Sequence, residues 1–302
     1  PASAANRWVV AGNAGKVFHT VQSDASSGWE ELVDLGNNNH SNLAYGKDNS
    51  GVPRLILHAK NNTNEIMYIN DDGNVDLTDS NNWTAVNHST NYKAADTGPA
   101  IAWGNNVWIH GGVTMASTRT VDGASVTVYD GPNKSTDGGA NWTKIDVDNT
   151  VNSVIDTMCY KSGSTWLMAI KDAVWKSTND GDGWTSLGVV ESGKRIRSMA
   201  YNGDGRWCAV LDSDNIWYSD DDGDNWTEAS GAWSGTWHPN GIVWVAGSIN
   251  KWVVCGNNGR LAYSADLTGS WTAIWDGDDA SWGTDHIKGI ATDNTTVVIV
   301  GP

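Results

Sequence analysis

The chain has 302 residues and a formal net charge of −16, because 35 Asp and Glu outnumber 19 Lys and Arg. This balance disfavours nucleic acids and anionic membrane surfaces as partners, since phosphate binding requires clustered basic side chains. Nineteen Trp and 34 Gly against a single Phe indicate strands joined by tight turns, with no convincing helix. The length fits one all-β repeat domain over residues 1–302.

The first predicted strand lies close to the N-terminus. Residues 6–16 (NRWVVAGNAGK) closely match residues 250–260 (NKWVVCGNNGR). We name the four predicted strands of each repeated unit A to D, and residues 250–260 contain a B strand. The chain is therefore predicted to begin at the B strand of a unit. Its first five residues lack the charged and apolar regions of a signal peptide, and no run approaches membrane-spanning length.

One phrase, Ser-x-Asp-x-Gly-x-x-Trp, recurs along the chain. Its closing tryptophans are spaced by 54, 59, 42, 42 and 45 residues, at Trp29, Trp83, Trp142, Trp184, Trp226 and Trp271. A period in the forties indicates a repeat architecture. The copies that keep most of the phrase are Ser135, Asp137, Gly139, Trp142; Ser177, Asn179, Gly181, Trp184; Ser219, Asp221, Gly223, Trp226; and Ser264, Asp266, Trp271.

The residue types of the phrase predict a structural turn. A Ser hydroxyl and an Asp carboxylate can form hydrogen bonds within a turn, as in Asx-turns. Gly139 and Gly223 supply backbone freedom. The Trp is expected to open the next strand and fold its ring over the loop, which buries a large apolar surface.

The repeated phrase resembles the Asp-box, also called the BNR repeat, of sialidases, sortilin-like receptors and photosystem II stability-factor-like proteins. The resemblance covers nearly the whole chain through two full and two near matches. It implies a β-propeller with one Asp-box in each four-stranded blade. It implies no activity, because the family is functionally mixed and its Asp-boxes lie away from the catalytic face.

Two successive repeats show the predicted blade. In the first, strands A to D cover residues 196–201, 206–211, 215–219 and 226–229. In the second, they cover residues 241–246, 251–255, 259–264 and 271–275. Turns rich in Gly, Asp and Asn separate the strands.

The chain ends on a predicted A strand, residues 286–291, and a predicted B strand, residues 295–300. Because the chain also begins at a B strand, strands from both termini are expected to complete one blade and close the ring. Six A strands and six phrases favour a single all-β propeller of six four-stranded antiparallel blades. Seven blades stay open if the spare B strand belongs to an incomplete unit.

Sialidase activity is the enzymatic hypothesis that the resemblance raises. It would imply three arginines around a carboxylate, a Tyr with a Glu partner as nucleophile, an Asp acid, and an Arg-Ile-Pro phrase near the start. The chain has seven Arg, and its nearest phrase, Val52-Pro53-Arg54, has the wrong order. The sequence thus predicts no catalytic residue, no cofactor and no metal site, while a glycosidase that uses another carboxylate pair stays open.

The three cysteines, Cys159, Cys208 and Cys255, fall in predicted A or B strands among apolar neighbours. Their odd number and apolar setting predict small core residues rather than disulfides or nucleophiles.

A candidate binding site comes from topology. In a propeller the D-to-A connections share one face with the B-to-C hairpins, and the repeated turns share the other face with the A-to-B turns. The candidate ligand-binding residues on or beside D-to-A connections are His40, His88, His238, His286, Trp233, Trp237, Trp275 and Trp282. Rings that stack on a sugar or peptide, with polar groups beside them, suit recognition. The alternative is that these tryptophans pack between blades and the histidines are solvated.

The sequence therefore favours a non-catalytic recognition or structural propeller that binds a glycan or a protein through the D-to-A face. Its composition permits an extracellular or virion-associated component that assembles into a larger particle. The alternatives are a glycoside-acting hydrolase with an Asp/Glu pair on the same face, and an assembly-factor scaffold.

Overall fold

The structure, a computed structural model, describes residues 7–11, 16–21, 27–34, 39–60, 65–72, 74–87, 100–112, 116–121, 124–147, 153–230, 238–275 and 285–301. The strands of these residues are β1 (Trp8–Ala11), β2 (Lys16–Thr20), β3 (Glu30–Asp34), β4 (Asn39–Lys47), β5 (Pro53–Lys60), β6 (Glu65–Asn70), β7 (Thr84–Asn87), β8 (Ile101–Gly104), β9 (Val107–His110), β10 (Ala116–Val121), β11 (Ala124–Ser135), β12 (Thr143–Val147), β13 (Ile155–Tyr160), β14 (Trp166–Ile170), β15 (Ala173–Ser177), β16 (Thr185–Val189), β17 (Ile196–Tyr201), β18 (Trp207–Leu211), β19 (Ile216–Ser219), β20 (Thr227–Glu228), β21 (Pro239–Val245), β22 (Lys251–Gly256), β23 (Leu261–Ser264), β24 (Thr272–Trp275), β25 (Gly289–Thr292) and β26 (Val297–Val300).

The fold is an all-β six-bladed propeller with four-stranded antiparallel blades, as the sequence predicts. The four-stranded sheets follow the chain in the orders β4-β5-β6-β7, β13-β14-β15-β16, β17-β18-β19-β20 and β21-β22-β23-β24. At the chain ends, β1-β2-β3 form one sheet and β25-β26 another. The expectation that strands of both termini complete one blade stays a prediction.

The sheet that contains β8, β9, β11 and β12 carries one additional strand. β10 pairs with the first half of β11, from Ala116 opposite Tyr129 to Val121 opposite Ala124. The second half of β11 pairs with β9 and with β12. This extra hairpin contributes to the spacing of 59 residues between Trp83 and Trp142, where later copies are 42 residues apart.

The chain divides into two compact units, each larger than a repeat. The first unit is residues 1–166 with 177–185, and the second unit is residues 167–176 with 186–302. The single domain over residues 1–302 stays a prediction. Among the described residues the one helix is a 3-10 turn at Ser80–Asn82, and none is long and apolar enough to cross a membrane.

The core repeats from blade to blade. Four tryptophans in the early B-strand position are almost completely buried: Trp108, Trp166, Trp207 and Trp252. An aromatic residue near the end of the preceding A strand packs against each of them, as in Tyr201 with Trp207, whose ring centroids are 4.7 Å apart. Because each ring buries a large apolar area, this repeated pair anchors the A strand to the B strand.

β17 has its predicted bounds, and the other strand bounds differ from the predicted ones by at most three residues. The repeated Trp does not open the D strand, since β12, β16, β20 and β24 each begin at the following Thr. The reason is local, because the Trp indole is directed back onto the turn. In three of the four repeated turns its N–H donates a hydrogen bond to a glycine carbonyl of that turn. Cys208 and Cys255 are buried free thiols, which confirms their core assignment, whereas Cys159 is only partly buried.

Candidate functional site

The turn after β11 is closed by its own side chains. The Ser135 hydroxyl donates to Asp137 Oδ1 at 2.8 Å and accepts the Gly139 N–H at 2.8 Å. The Asp137 carboxylate accepts the Asn141 N–H at 2.8 Å and the Asn141 side-chain amide at 2.6 Å. The Trp142 indole N–H donates to the Gly139 carbonyl at 2.8 Å. Each polar side chain of the phrase therefore forms hydrogen bonds within its own turn.

The same hydrogen bonds recur after β19. Ser219 donates to Asp221 at 2.8 Å, Asp221 accepts the Asn225 N–H at 2.8 Å, and Trp226 donates to the Gly223 carbonyl at 3.0 Å. After β15, Asn179 takes the place of the Asp and accepts the Gly183 N–H at 3.0 Å. Replacement of Asp by Asn keeps the turn because one side-chain oxygen suffices for that bond.

The turn after β23 differs from the others. Asp266 accepts the N–H groups of Thr268 at 3.1 Å and Gly269 at 3.0 Å. Leu267 adopts φ +65° and is completely buried. A leucine in the left-handed region is unusual, and burial of its side chain offsets the strain.

The repeated turns lie at the same end of a blade as the A-to-B turns. In the first unit, the Asp180 N–H donates to the Ser164 carbonyl at 3.1 Å, and the Ser164 hydroxyl donates to Asp180 Oδ2 at 2.7 Å. Ser164 belongs to the turn between β13 and β14, and Asp180 to the repeated turn after β15.

The D-to-A connections meet the B-to-C hairpins at the other end. In the second unit, the Asn257 N–H donates to the His238 carbonyl at 3.1 Å, and the Gly259 N–H donates to the Asp285 carbonyl at 2.6 Å. One B-to-C hairpin thus contacts the connection before its own blade and the connection after it. The Asp212 N–H likewise donates to the Arg195 carbonyl at 2.8 Å. We call this surface of the second unit the connection face.

The connection face holds two of the predicted site residues. His238 is half exposed, and its Nδ1 lies 3.8 Å from the carboxylate of Asp214 in the neighbouring B-to-C hairpin. The His286 Nδ1 accepts the Asn258 N–H at 3.2 Å, which ties this connection to the hairpin after β22. Because Nδ1 accepts a hydrogen bond there, the neutral tautomer of His286 carries its proton on Nε2.

The remaining predicted site residues are placed differently. Trp275 is the last residue of β24 and lines an apolar cavity on the side of its blade. His40 is the second residue of β4, paired with Ala59, and not part of a connection. Four predicted residues lie outside the described residues: His88, Trp233, Trp237 and Trp282. The grouping of all eight into one site stays a prediction.

Sequence reasoning did not identify Glu191, a carboxylate of the connection face that accepts hydrogen bonds from the adjacent hairpin. Its Oε2 accepts the Asn215 side-chain amide at 3.1 Å and the Trp217 indole N–H at 3.1 Å. Beside it, Asp212 accepts the Arg195 N–H at 2.7 Å and lies 3.7 Å from the Arg197 guanidinium. The only available signal was the position of Glu191, Arg195 and Arg197 at a predicted blade junction.

A second polar group lies in the interior of the first unit. The rings of His58 on β5 and His110 on β9 are 4.8 Å apart, and both side chains are completely buried. The rings of Trp142 and His110 are T-shaped to each other, with their centroids 6.0 Å apart. The sequence offered no signal for this contact, because each histidine ends an apolar stretch of its own strand.

No protein-family model matches the chain, and no curated protein sequence matches it significantly. Many solved structures share its fold. YCF48 bound to a D1 peptide has a TM-score of 0.68 and 14% identity over 98% of this chain and 86% of its own.

Two further structures illustrate how varied the proteins of this fold are. The GH74 xyloglucanase from Xanthomonas campestris has a TM-score of 0.70 and 15% identity, and the match covers 99% of this chain but 49% of the xyloglucanase. The WD40 propeller domain of Doa1 has a TM-score of 0.65 and 12% identity over 99% of this chain and 87% of its own. At these identities the likeness is one of fold alone: the chain is a β-propeller, as these three structures are.

Proposed function

We propose that the protein is a non-catalytic recognition propeller that binds a protein partner through the connection face. We further propose that its repeated Ser-x-Asp turns are Asp-boxes with a purely structural role. The hydrogen bonds of the turns after β11 and β19 support this second proposal, because the polar groups that a ligand could contact are already hydrogen-bonded within the turns. Binding is then assigned to the opposite end of the blades.

One observation carries the proposal: the connection face presents both signs of charge in fixed positions. The half-exposed Asp214 carboxylate lies beside the His238 ring, and the positive charge is that of Arg197, which lies beside Asp212. Glu191 is held by side chains of the adjacent hairpin. Fixed charges on a rigid scaffold select a partner of complementary charge at low entropic cost.

A protein is favoured over a glycan because the described part of this face offers charges and hydrogen-bonding groups. The aromatic rings that would stack on a sugar were predicted at Trp233, Trp237 and Trp282, which lie outside the described residues. The structure of YCF48, which has a similar fold, was determined with a bound peptide. The extracellular or virion-associated setting stays a prediction.

A selection experiment tests this function. The wild-type protein is used as bait for a phage-displayed random peptide library, while a glycan array and a panel of chromogenic glycosides are screened in parallel. The expected result is enriched peptides whose binding is lost when Asp214→Lys reverses a charge of the connection face. Asp204→Lys is the matched control, because Asp204 is an exposed Asp in the turn between β17 and β18, at the opposite end of the same blade.

Four outcomes contradict the proposal. Peptides that still bind the Asp214→Lys variant would place recognition elsewhere. Hits on the glycan array without enriched peptides would make the ligand a sugar. Turnover of a glycoside that a single Asp or Glu substitution abolishes would make the protein a hydrolase. If none of the three screens gives a signal, recognition is rejected and the assembly-factor scaffold is favoured.

A further inference from the structure

The two buried histidines of the first unit lie where one blade packs on the next. Every second residue of β5, beginning at Arg54, contacts the blade that contains β8, β9, β11 and β12. The three contacts are Arg54 with the Gly138 carbonyl, Ile56 with Gly139, and the His58 ring with the His110 ring. We call this row of contacts the histidine seam.

The second unit contains an equivalent seam, in which Arg206 takes the place of Arg54. Each guanidinium lies over a tyrosine ring of the adjacent strand, at 4.3 Å for Arg54 and 4.7 Å for Arg206. Each also donates to a backbone carbonyl in the repeated turn of the following blade. Four residues further along the chain, Arg54 is followed by His58 and Arg206 by Val210. Val210 therefore occupies the position of His58.

The other half of the equivalent seam is also a valine. His110 and Val254 each lie two residues after the almost completely buried tryptophan of their B strands. Val210 and Val254 are completely buried and belong to one apolar cluster. The fold thus accepts an aliphatic pair at this position. Packing alone does not require imidazoles there, and their burial costs desolvation free energy.

The cross-strand neighbours of both histidines carry no charge. They are Asn42 on β4 and Ile66 on β6 opposite His58, and Ile101 on β8 and Asn133 on β11 opposite His110. The Trp142 ring, which contacts His110, is also uncharged. The immediate surroundings formed by these strands therefore offer imidazolium rings no compensating negative charge.

The charged and titratable groups of the same elements lie further along the strands or one strand away. Arg54 is four residues from His58, about 13 Å along an extended strand. Within the described residues, the others are Tyr68 beneath Arg54, Asp48 paired with Arg54, Lys134 paired with Asp182, Asp137 bonded to Asn141, and Lys144 and Asp146 on β12, which β11 separates from β9.

Burial and proximity both act against charge on the pair. Complete burial disfavours the charged form of an imidazole, and two imidazolium rings with centroids 4.8 Å apart would repel each other. In mild acid the folded pair therefore binds fewer protons than two histidines of an unfolded chain, which titrate near pH 6.5. Stability from the neutral pair is then complete above about pH 6.5 and is lost as the pH falls below it.

We propose that the His58–His110 pair is an acid-sensitive switch that opens the histidine seam between pH 7 and pH 5. Full protonation requires the two rings to separate and to reach water, so β5 moves away from β9 and from the repeated turn after β11. The switch does not involve the connection face, so it can fail or hold independently of the proposed recognition function.

The valine seam supplies the variant that tests the switch. A double variant, His58→Val with His110→Val, copies the pair that the chain uses in its second unit. Urea unfolding is measured at pH 6 and pH 5. Between these values the unfolding constant of the wild type should rise more than that of the double variant, by about 8-fold if the folded pair excludes one proton and about 60-fold if it excludes both. His238→Val, which removes a half-exposed histidine, is the control and should keep the wild-type dependence.

Hydrogen exchange of the wild type tests the location of the opening without any substitution. Exchange at pH 7 and pH 5 is corrected for the intrinsic effect of pH on amide exchange. Residues 54–58, 107–111 and 135–142 should lose protection at pH 5, while residues 207–211 and 251–256 of the valine seam keep theirs. This comparison decides the proposal even if the double variant does not fold.

The proposal is overturned if the double variant and the wild type lose stability in parallel between pH 6 and pH 5. It is also overturned if the histidine seam keeps its protection at pH 5, or if the histidine and valine seams lose protection equally. The last result would indicate general acid unfolding rather than a switch at the two histidines.

Discussion

The Lys134 ammonium donates a 2.6 Å hydrogen bond to the carboxylate of Asp182, which belongs to the repeated turn of the following blade. This relationship recurs along the chain. Lys176 bonds Asp224 at 2.6 Å, Arg206 bonds the Asp266 carbonyl at 2.6 Å, and Arg54 bonds the Gly138 carbonyl. In each case a cation of one blade reaches the turn of the next, so the turns connect neighbouring blades as well as neighbouring strands.

The Lys134–Asp182 pair is expected to respond asymmetrically to substitution. Lys134 is 9% exposed, whereas Asp182 is 62% exposed. Lys134→Met removes the buried charge and leaves a solvated carboxylate, which we expect to cost about 1 kcal/mol of unfolding free energy. Asp182→Asn leaves the ammonium buried without its anion and should cost more, about 2 kcal/mol. Urea unfolding measures both, and equal losses would contradict the assignment.

Asp221 is expected to make stability depend on acid pH. Hydrogen bonds from the Asn225 side chain and backbone N–H hold the pKa of Asp221 below its usual value. A carboxylate with a lowered folded-state pKa contributes stability that is complete above its unfolded pKa of about 3.9 and disappears as the pH falls through the folded value. We expect Asp221→Asn to lower stability at pH 7 by less than about 1 kcal/mol, because the carboxylate is exposed.

The same experiment has a control within the sequence. Asn179 occupies the equivalent position after β15 and does not titrate. Asn179→Asp should therefore steepen the loss of stability between pH 4 and pH 2, while Asp221→Asn should flatten it. Urea midpoints at pH 7, 4 and 2.5 decide the point, and parallel curves for the three proteins would show that these turns do not titrate with folding.

Gly139 is expected to tolerate no side chain. It has φ +92°, and an added Cβ would lie 2.5 Å from Ile56 Cδ1. Gly139→Ala should therefore lose about 2 kcal/mol, since backbone strain and steric overlap add. Gly51 has φ +81° with open space around it, so Gly51→Ala should lose about 1 kcal/mol from strain alone. Thermal unfolding compares the two, and equal losses would exclude the contact with Ile56.

The buried cysteines are expected to be unreactive in the folded protein. Burial raises the pKa of Cys255 to about 12 and that of Cys208 well above its usual value. Both thiols are therefore protonated at pH 8 and out of reach of a thiol reagent. Titration with dithiobis(nitrobenzoate) should detect neither of them in the native protein and all three cysteines in urea. Fast native labelling of Cys208 or Cys255 would contradict the packing of β18 and β22.

The sequence was sufficient for features that depend on residues close together in the chain. Ser135, Asp137 and Asn141 span seven positions, so their mutual hydrogen bonds follow from turn chemistry and from the period of the repeat. The four-stranded blade could be predicted in the same way, because each strand pairs with the next strand along the chain. The hydrogen bonds within the repeated turn could therefore be predicted, and so could the tryptophan that folds over the loop; the structural role of the turn stays a prediction.

Contacts between distant residues could not be predicted. Trp217 donates to Glu191 across 26 positions, and Arg206 reaches Asp266 across 60. No spacing rule connects such residues, because blade packing decides which of many acidic side chains a given donor meets. The aromatic part of the candidate site stays a prediction, since three of its four tryptophans lie outside the described residues.

The central claim is that the repeated turns are structural and that recognition occurs at the opposite end of the blades. Hydrogen–deuterium exchange of the protein with and without a peptide enriched by the wild-type bait tests it most directly. The account predicts slower exchange in residues 190–196, 212–215, 238–240 and 257–259, with residues 135–142 and 219–226 unchanged. Slower exchange confined to residues 135–142 and 219–226 would contradict it and make the repeated turns the binding surface.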